Sequence, residues 1–188
     1  MRYFLIEAGP VREEAEALRD HYITTMRALK EWSHKTVGQS EFYHDYRRLI
    51  GFARKPQGEG WKQDRKQGFW SPKVSTKEGK ALAAEMAQLP RLPDLGLDFF
   101  GEDVIGKMIG WDSGALRRAW MLWSEDRIAI VLTATDFFGG TSEEGLRKLM
   151  AFQPPEGLRE ISENAWKLQT TQAEADAKAA HSREGAQA

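Results

Sequence analysis

Residues 118–133, RAWMLWSEDRIAIVLT, carry the strongest β-strand signal in the chain. Two apolar runs, 119–123 and 127–133, flank the polar residues Ser124-Glu125-Asp126, which are typical of a hairpin turn. Apolar side chains occupy both alternating faces of each run. Because a strand that is apolar on both faces must be covered on both sides, we expect this hairpin to lie centrally in a sheet.

Weaker signals on either side of the hairpin predict an α+β fold. Further strands are expected over residues 3–7, 48–53 and 68–72, the last as a short edge strand that Pro72 ends. Apolar residues at helical spacing predict five helices, at about residues 11–38, 76–89, 102–109, 143–152 and 158–168. Capping boxes predict Ser75 and Thr141 as the residues that begin the second and fourth of these helices. The sum is a small, mainly antiparallel sheet of four or five strands packed with helices.

Length and composition predict one globular domain with a polar tail. The chain has 188 residues, and a hydrophobic share of 41% suffices for one core. We assign residues 1–169 to a single α+β domain. Residues 170–188 are mostly alanine, glutamine, glutamate and lysine without an apolar stripe, so we expect them to be frayed or disordered.

The composition also limits the function classes. There is no cysteine, which excludes disulfides and thiol chemistry. The first apolar run is too short for a signal peptide, and no window approaches the ~18 apolar residues that a membrane helix needs. With 27 basic and 28 acidic residues, any preference for an anion must be local. We therefore expect a cytoplasmic protein without a membrane partner.

Residues 54–80, which we call the basic stretch, are the strongest functional signal. They hold eight Lys or Arg against three acids, together with the rings of Trp61, Phe69 and Trp70 and a helix start. Lysine and arginine supply donors for phosphate, flat rings supply stacking faces, and a helix start presents free N–H groups. The alternative reading is that either indole alone packs in the core and that the helix start is ordinarily capped. The predicted ligand-binding residues are Trp61, Arg65, Lys66, Trp70, Lys73, Thr76 and Lys77.

The remaining polar residues give weaker signals. Six acids would hold a divalent metal if the fold gathered them, but their spacing matches no known metal loop: Asp94, Asp98, Glu102, Asp103, Asp112 and Asp136. No P-loop, HExxH motif or nucleophile elbow is present. We therefore assign no catalytic residue, no metal site and no cofactor. Trp111 is a candidate for a partner or homo-oligomer face, whereas core burial is the better interpretation of Trp120 and Trp123.

Part of the basic stretch resembles a segment of uncharacterised small accessory proteins of tailed bacteriophages and prophages. The resemblance lies in Gly60-Trp61, in Trp70-Ser71-Pro72-Lys73 and in the helix start Thr76-Lys77-Glu78-Gly79-Lys80-Ala81. It covers residues 60–90. It implies a bacterial host cytoplasm, a role in takeover or counter-defence, and a binder more readily than a catalyst.

These observations predict a non-enzymatic binder. Its partner would be an anionic small molecule, above all a nucleotide-type signal that it sequesters, or a host defence protein that it inhibits. A nucleic-acid-binding regulator that uses the same basic stretch is the first alternative. A metal-dependent enzyme of nucleotide metabolism, built on Asp98, Asp112 and Asp136, is the second. Homo-oligomer formation stays open.

Overall fold

A computed structural model of the chain describes residues 1–45, 48–96, 104–111, 118–124, 127–135, 139–171 and 175. Within these residues the fold is α+β, as predicted, with five helices and two antiparallel sheets of four strands each. The strands are β1 Arg2–Ile6, β2 Phe42–Asp45, β3 Arg48–Phe52, β4 Trp61–Gln63, β5 Trp70–Pro72, β6 Arg118–Trp123, β7 Ile128–Thr133 and β8 Leu158–Ile161. The helices are α1 Gly9–Val37, α2 Lys77–Met86, α3 Val104–Ile109, α4 Glu143–Ala151 and α5, residues 163–171.

The chain divides into two compact units. The larger unit contains Met1–Arg19 and Asp94–Ala188, and the smaller unit contains Asp20–Pro93. Helix α1 contributes its first turns to the larger unit and the rest of its length to the smaller one. That residues 1–169 form a single domain stays a prediction. Most of the predicted tail, residues 172–174 and 176–188, lies outside the described residues.

The sheet of the larger unit has the strand order β6-β7-β1-β8. The predicted hairpin is present as β6 and β7, and all six residues of β7 are buried. The central position is correct for β7 and wrong for β6, which pairs with β7 and otherwise makes one bridge, from Trp120 to Gly96, among the described residues. Trp120 is accordingly 39% exposed, against our expectation of burial, whereas Trp123 packs on the core and Trp111 is buried.

Strand β8 corrects the prediction of a last helix that begins near residue 158. Residues 158–161 pair antiparallel with β1, which places Leu158 opposite Ile6 in the core, and α5 begins only at residue 163. Gly157, with a φ of 92°, makes this pairing possible because a Cβ there would overlap the carbonyl oxygen of Ala8. Only the residues from 163 onward form the helix that the spacing predicted. In this helix the Trp166 ring lies 5.3 Å from the ring of Tyr3.

The sheet of the smaller unit has the strand order β2-β3-β5-β4. Strand β5 therefore lies between β3 and β4, so the prediction of an edge strand at 68–72 is wrong. The three-residue strand β4 covers the side that the proline was expected to leave unpaired. The core of this unit is a cluster of Val37, Leu49, Phe52, Trp61 and Met86, over which Trp32, Phe42, Trp70, Leu82 and Leu89 pack.

Two helices begin one residue later than predicted. Thr76, not Ser75, caps α2 and accepts a hydrogen bond from the backbone N–H of Gly79. Ser142, not Thr141, caps α4 and accepts from Gly145 in the same way. In both helices the residue whose hydroxyl group caps the helix lies three positions before a buried glycine in the first turn. Among the helices of the described residues, none combines the length and apolarity that crossing a bilayer requires.

Candidate functional site

The basic stretch folds mainly as the β4–β5 hairpin, and Asp64 organises its loop. One carboxylate oxygen of Asp64 accepts hydrogen bonds from the backbone N–H groups of Lys66 (2.9 Å) and Gln67 (3.0 Å). The backbone of Asp64 donates to Phe69 and accepts from Gly68, both at 2.8 Å. The loop is therefore held by four hydrogen bonds from one residue, and the side chains of Arg65 and Lys66 are exposed at its tip.

The second group of predicted residues lies at the opposite end of the hairpin. Lys73 directly follows β5, Thr76 caps α2 and Lys77 is its first residue. Three strand residues separate this end from the loop end, which corresponds to about 10 Å at a rise of ~3.3 Å per residue. The predicted cations thus form two groups, one at each end of the hairpin.

The hydroxyl of Thr76 is engaged in capping. It donates to the carbonyl oxygen of Lys73 at 2.9 Å and accepts from the N–H of Gly79 at 3.1 Å. These bonds satisfy one of the free N–H groups of the helix start and close the turn from β5 into α2. The interpretation of Thr76 as an ordinary cap therefore explains its position without a ligand.

Trp61 lies in the core of the smaller unit. Its side chain is 9% exposed, and its ring meets that of Phe52 edge to face at 5.3 Å. The indole N–H donates to the carbonyl oxygen of Gln57 at 3.2 Å, so the polar atom is also satisfied. With so little of the residue exposed, the structure gives no support to the prediction that Trp61 stacks on a ligand.

Trp70 is half-buried and packs against the same cluster. The ammonium nitrogen of Lys55 lies 5.8 Å from the centre of its ring, within the range of a cation–π contact. A ligand ring that stacked on Trp70 would compete with this contact. The geometry of both indoles therefore favours a structural role over the predicted stacking role.

The smaller unit contains an open groove with a volume of about 610 Å³, which we call the arginine groove. Its polar wall combines side chains from β3, the β4–β5 loop, β5 and the chain after α2: Arg48, Asp64, Gln67, Ser71 and Arg91. Its apolar wall includes Ile50, Phe69, Met86 and Leu89. None of the seven predicted residues lines this groove, although Arg65 and Lys66 belong to the loop that supplies two of its residues.

The two units carry opposite net charge. The smaller unit has 14 basic and 8 acidic residues, a net charge of +6, whereas the larger has 13 and 20, a net charge of −7. The side chains of Arg65, Lys66 and Arg91 are exposed and make no ion pair with any residue that the structure describes. An anion that approaches the smaller unit therefore meets a positive field with unpaired donors.

Sequence reasoning assigned no residue of the arginine groove to the site, and the most important omissions are Arg48, Gln67, Phe69 and Arg91. Phe69 precedes Trp70, and adjacent residues of an extended chain face opposite sides. Once one of the two rings was assigned to the core, the other should have been assigned to the outer face. For Arg48 and Arg91 no local signal exists, because they are brought to one groove by the packing of β3 and α2.

The metal site that we considered as an alternative is not tested by the described residues. Asp98, Asp112 and Asp136 lie outside the described residues. Within the described ranges, no three His, Asp or Glu side chains gather in a way that would hold a metal ion.

No protein-family model matches the chain, and neither a curated protein nor a solved structure resembles it at a significant level. The resemblance of residues 60–90 to phage accessory proteins therefore stays a prediction.

Proposed function

We propose that the protein is a non-enzymatic binder that sequesters an anionic small molecule of nucleotide type in the arginine groove. The observation that carries this proposal is the presence of two exposed arginines, Arg48 and Arg91, in a groove on a compact unit with a net charge of +6. The predicted ligand class is retained, but the residues that would bind it differ from the predicted set.

The chemistry of the arginine groove supports this ligand class. Guanidinium groups present several N–H donors in a planar fork that fits a phosphate group with two bonds at once. A volume of about 610 Å³ falls within the ~300–1,000 Å³ that is usual for small-molecule sites. The carboxylate of Asp64 faces its own loop through two N–H bonds, which reduces its repulsion of an anion. The proposal assigns the protein no reaction.

Arg91 provides the direct test of the groove. We expect ATP to bind the full chain in isothermal titration calorimetry, and Arg91→Ala to weaken binding about 10- to 100-fold, because a charge-assisted hydrogen bond contributes about 1.5–3 kcal/mol. The matched control is Lys77→Ala, which removes one charge from the same unit at an exposed position outside the groove. Its affinity should stay within about threefold of the wild type, as a screened surface charge contributes little.

Two results would contradict the proposal. The first is the absence of binding to any nucleoside mono-, di- or triphosphate at millimolar concentration. The second is an equal loss of affinity in Arg91→Ala and Lys77→Ala, since this would make the ligand respond to the overall charge of the smaller unit and not to the groove. Thermal unfolding of both variants checks that each is folded.

A nucleic-acid-binding regulator is the second candidate, favoured by the net charge of +6 on the smaller unit. The exposed side chains of Lys62, Arg65 and Lys66 on the β4–β5 hairpin would contact phosphates. Three such contacts with a single strand predict a slope of about −2 for the logarithm of affinity against that of salt concentration, or roughly a 15-fold loss between 50 and 200 mM. Fluorescence anisotropy with a labelled oligonucleotide measures this slope.

The triple variant Lys62→Ala/Arg65→Ala/Lys66→Ala should flatten that slope, whereas Arg147→Ala in the larger unit should leave it unchanged. Binding that is absent, or that does not depend on salt, removes this candidate.

The setting in a bacterial host and the inhibition of a host defence protein belong to the proposal as well, and they rest on the resemblance of residues 60–90.

A further inference from the structure

Phe69 is an aromatic residue of the smaller unit that lies outside its buried core. It lines the arginine groove, is half-buried and is not part of the buried cluster that contains Trp61. Its ring lies against Gly51, where a Cβ would overlap a ring carbon. Gly51 pairs with Tyr43 across β2 and β3, and the Tyr43 ring lies 5.7 Å from that of Phe69. A phenyl ring thus lies over a bare glycine backbone on the sheet, with a second ring tilted at 54° beside it.

The consequence is a fixed aromatic surface beside positive charge. The contact with Gly51 positions the Phe69 ring without enclosing it, so the ring forms part of the groove wall. Tyr43 is 45% exposed, which keeps this side of the ring pair accessible to solvent. Arg48 and Arg91 line the same groove. A flat ring and a phosphate group on one ligand would therefore find complementary partners within one groove.

We infer that the ligand of the arginine groove is a free nucleotide, whose base lies against Phe69 while its phosphates meet Arg48 and Arg91. This inference rests on the proposed function and narrows it. A polyphosphate without a base would use the guanidinium groups and leave the apolar wall formed by Ile50, Phe69 and Leu89 without contacts. Stacking on one aromatic side chain gains about 10-fold or more in affinity.

The test compares ATP with inorganic tripolyphosphate, which carries the same phosphate chain without the base and the ribose, by calorimetry on the full chain. The wild type should bind ATP at least about 10-fold more tightly than tripolyphosphate. In Phe69→Leu this ratio should fall to near one while the dissociation constant of tripolyphosphate stays unchanged. Phe69→Tyr, which retains the ring, should keep the ratio, and it serves as the folded comparison if the leucine variant is unstable.

The outcomes separate the inference from the proposed function. Equal wild-type binding of ATP and tripolyphosphate overturns the inference and leaves the proposed anion binder in place. If Phe69→Leu keeps the preference for ATP, the ring only covers Gly51 and the inference is equally overturned. Binding of neither compound overturns both. A ten-nucleotide single strand that binds more than 10-fold more tightly than ATP, and that loses this affinity in Phe69→Leu, overturns the free nucleotide in favour of nucleic acid.

Discussion

Replacement of Phe52 by alanine is expected to lower the free energy of unfolding of the smaller unit by about 3–5 kcal/mol. Phe52 is fully buried, and its ring lies 5.3 Å from Trp61, 6.3 Å from Trp32 and 6.5 Å from Phe42. It also pairs with Trp70 where β3 meets β5. Truncation would leave a cavity bordered by rigid rings that cannot close it. Urea unfolding, with amide hydrogen exchange in β3 and β5 as the local reporter, measures the loss.

The matched control is Phe4→Ala in the larger unit, where Phe4 is also fully buried. We expect Phe4→Ala to reduce amide protection mainly in β1 and β7, and Phe52→Ala to reduce it mainly in β3 and β5. The Phe52 variant should also lose ATP binding, because Leu49 and Met86 belong both to the core around Phe52 and to the arginine groove. Unchanged protection in β3 and β5 would contradict the central role of this ring.

The sequence was sufficient for elements whose signal is local. The two apolar runs of β6 and β7 and the long periodic stripe of α1 predicted both the type and the approximate bounds of these elements. Residues 158–161 show the limit of such patterns. Leu158 and Ile161 have helical spacing, yet β1 offers an open edge more than 150 residues earlier in the chain, and pairing with it determines the conformation. The sequence of a short segment does not show that a strand so distant in the chain will pair with it.

The groove that we propose as the site contains none of the predicted residues, and the predicted class of ligand stays a prediction. Clustering of cations and rings pointed to the hairpin whose loop contributes to this groove, but composition does not tell which side of a strand faces the core. Trp61 and Trp70 are large enough to anchor the small core, so they face inward, and Phe69 remains on the outer side. Arg48 and Arg91 are 43 positions apart in the sequence, and only the fold brings them to one groove.

The opposite net charges of the two units could not be predicted from the sequence, because they depend on how the fold divides the chain. The total of −1 is the sum of +6 and −7, and these values emerge only when the chain is divided near residues 19 and 93. Helix α1 runs through the first of these boundaries without a break, so no linker composition indicates it. The near-neutral total predicted only that a preference for an anion must be local, and the net charge of the smaller unit is such a local excess.

Arg2 is the residue of the larger unit from which we expect the next largest effect. It donates two hydrogen bonds of 2.8 Å to the carboxylate of Glu160 on β8, and two more to the carbonyl oxygens of Leu149 and Phe152 at the end of α4. Its guanidinium also lies 5.2 Å from the centre of the Phe4 ring. Arg2→Ala should lower the free energy of unfolding by about 2–3 kcal/mol, because charge-assisted bonds of a partly buried group are lost. Chemical denaturation measures this value.

The same contact predicts a dependence of stability on pH. The hydrogen bond from Arg2, together with its positive charge, lowers the pKa of Glu160 below its usual value of 4.5. A carboxyl group whose pKa is lower in the folded state stabilises the fold above its unfolded pKa, and this contribution disappears as the pH falls through the folded pKa. The difference in unfolding free energy between wild type and Glu160→Gln should therefore be constant near pH 7 and shrink below about pH 4.5. In the Arg2→Ala background, Glu160→Gln should have little effect at any pH. A difference that persists unchanged into acid would mean that Arg2 acts through its carbonyl and ring contacts and not through this carboxylate.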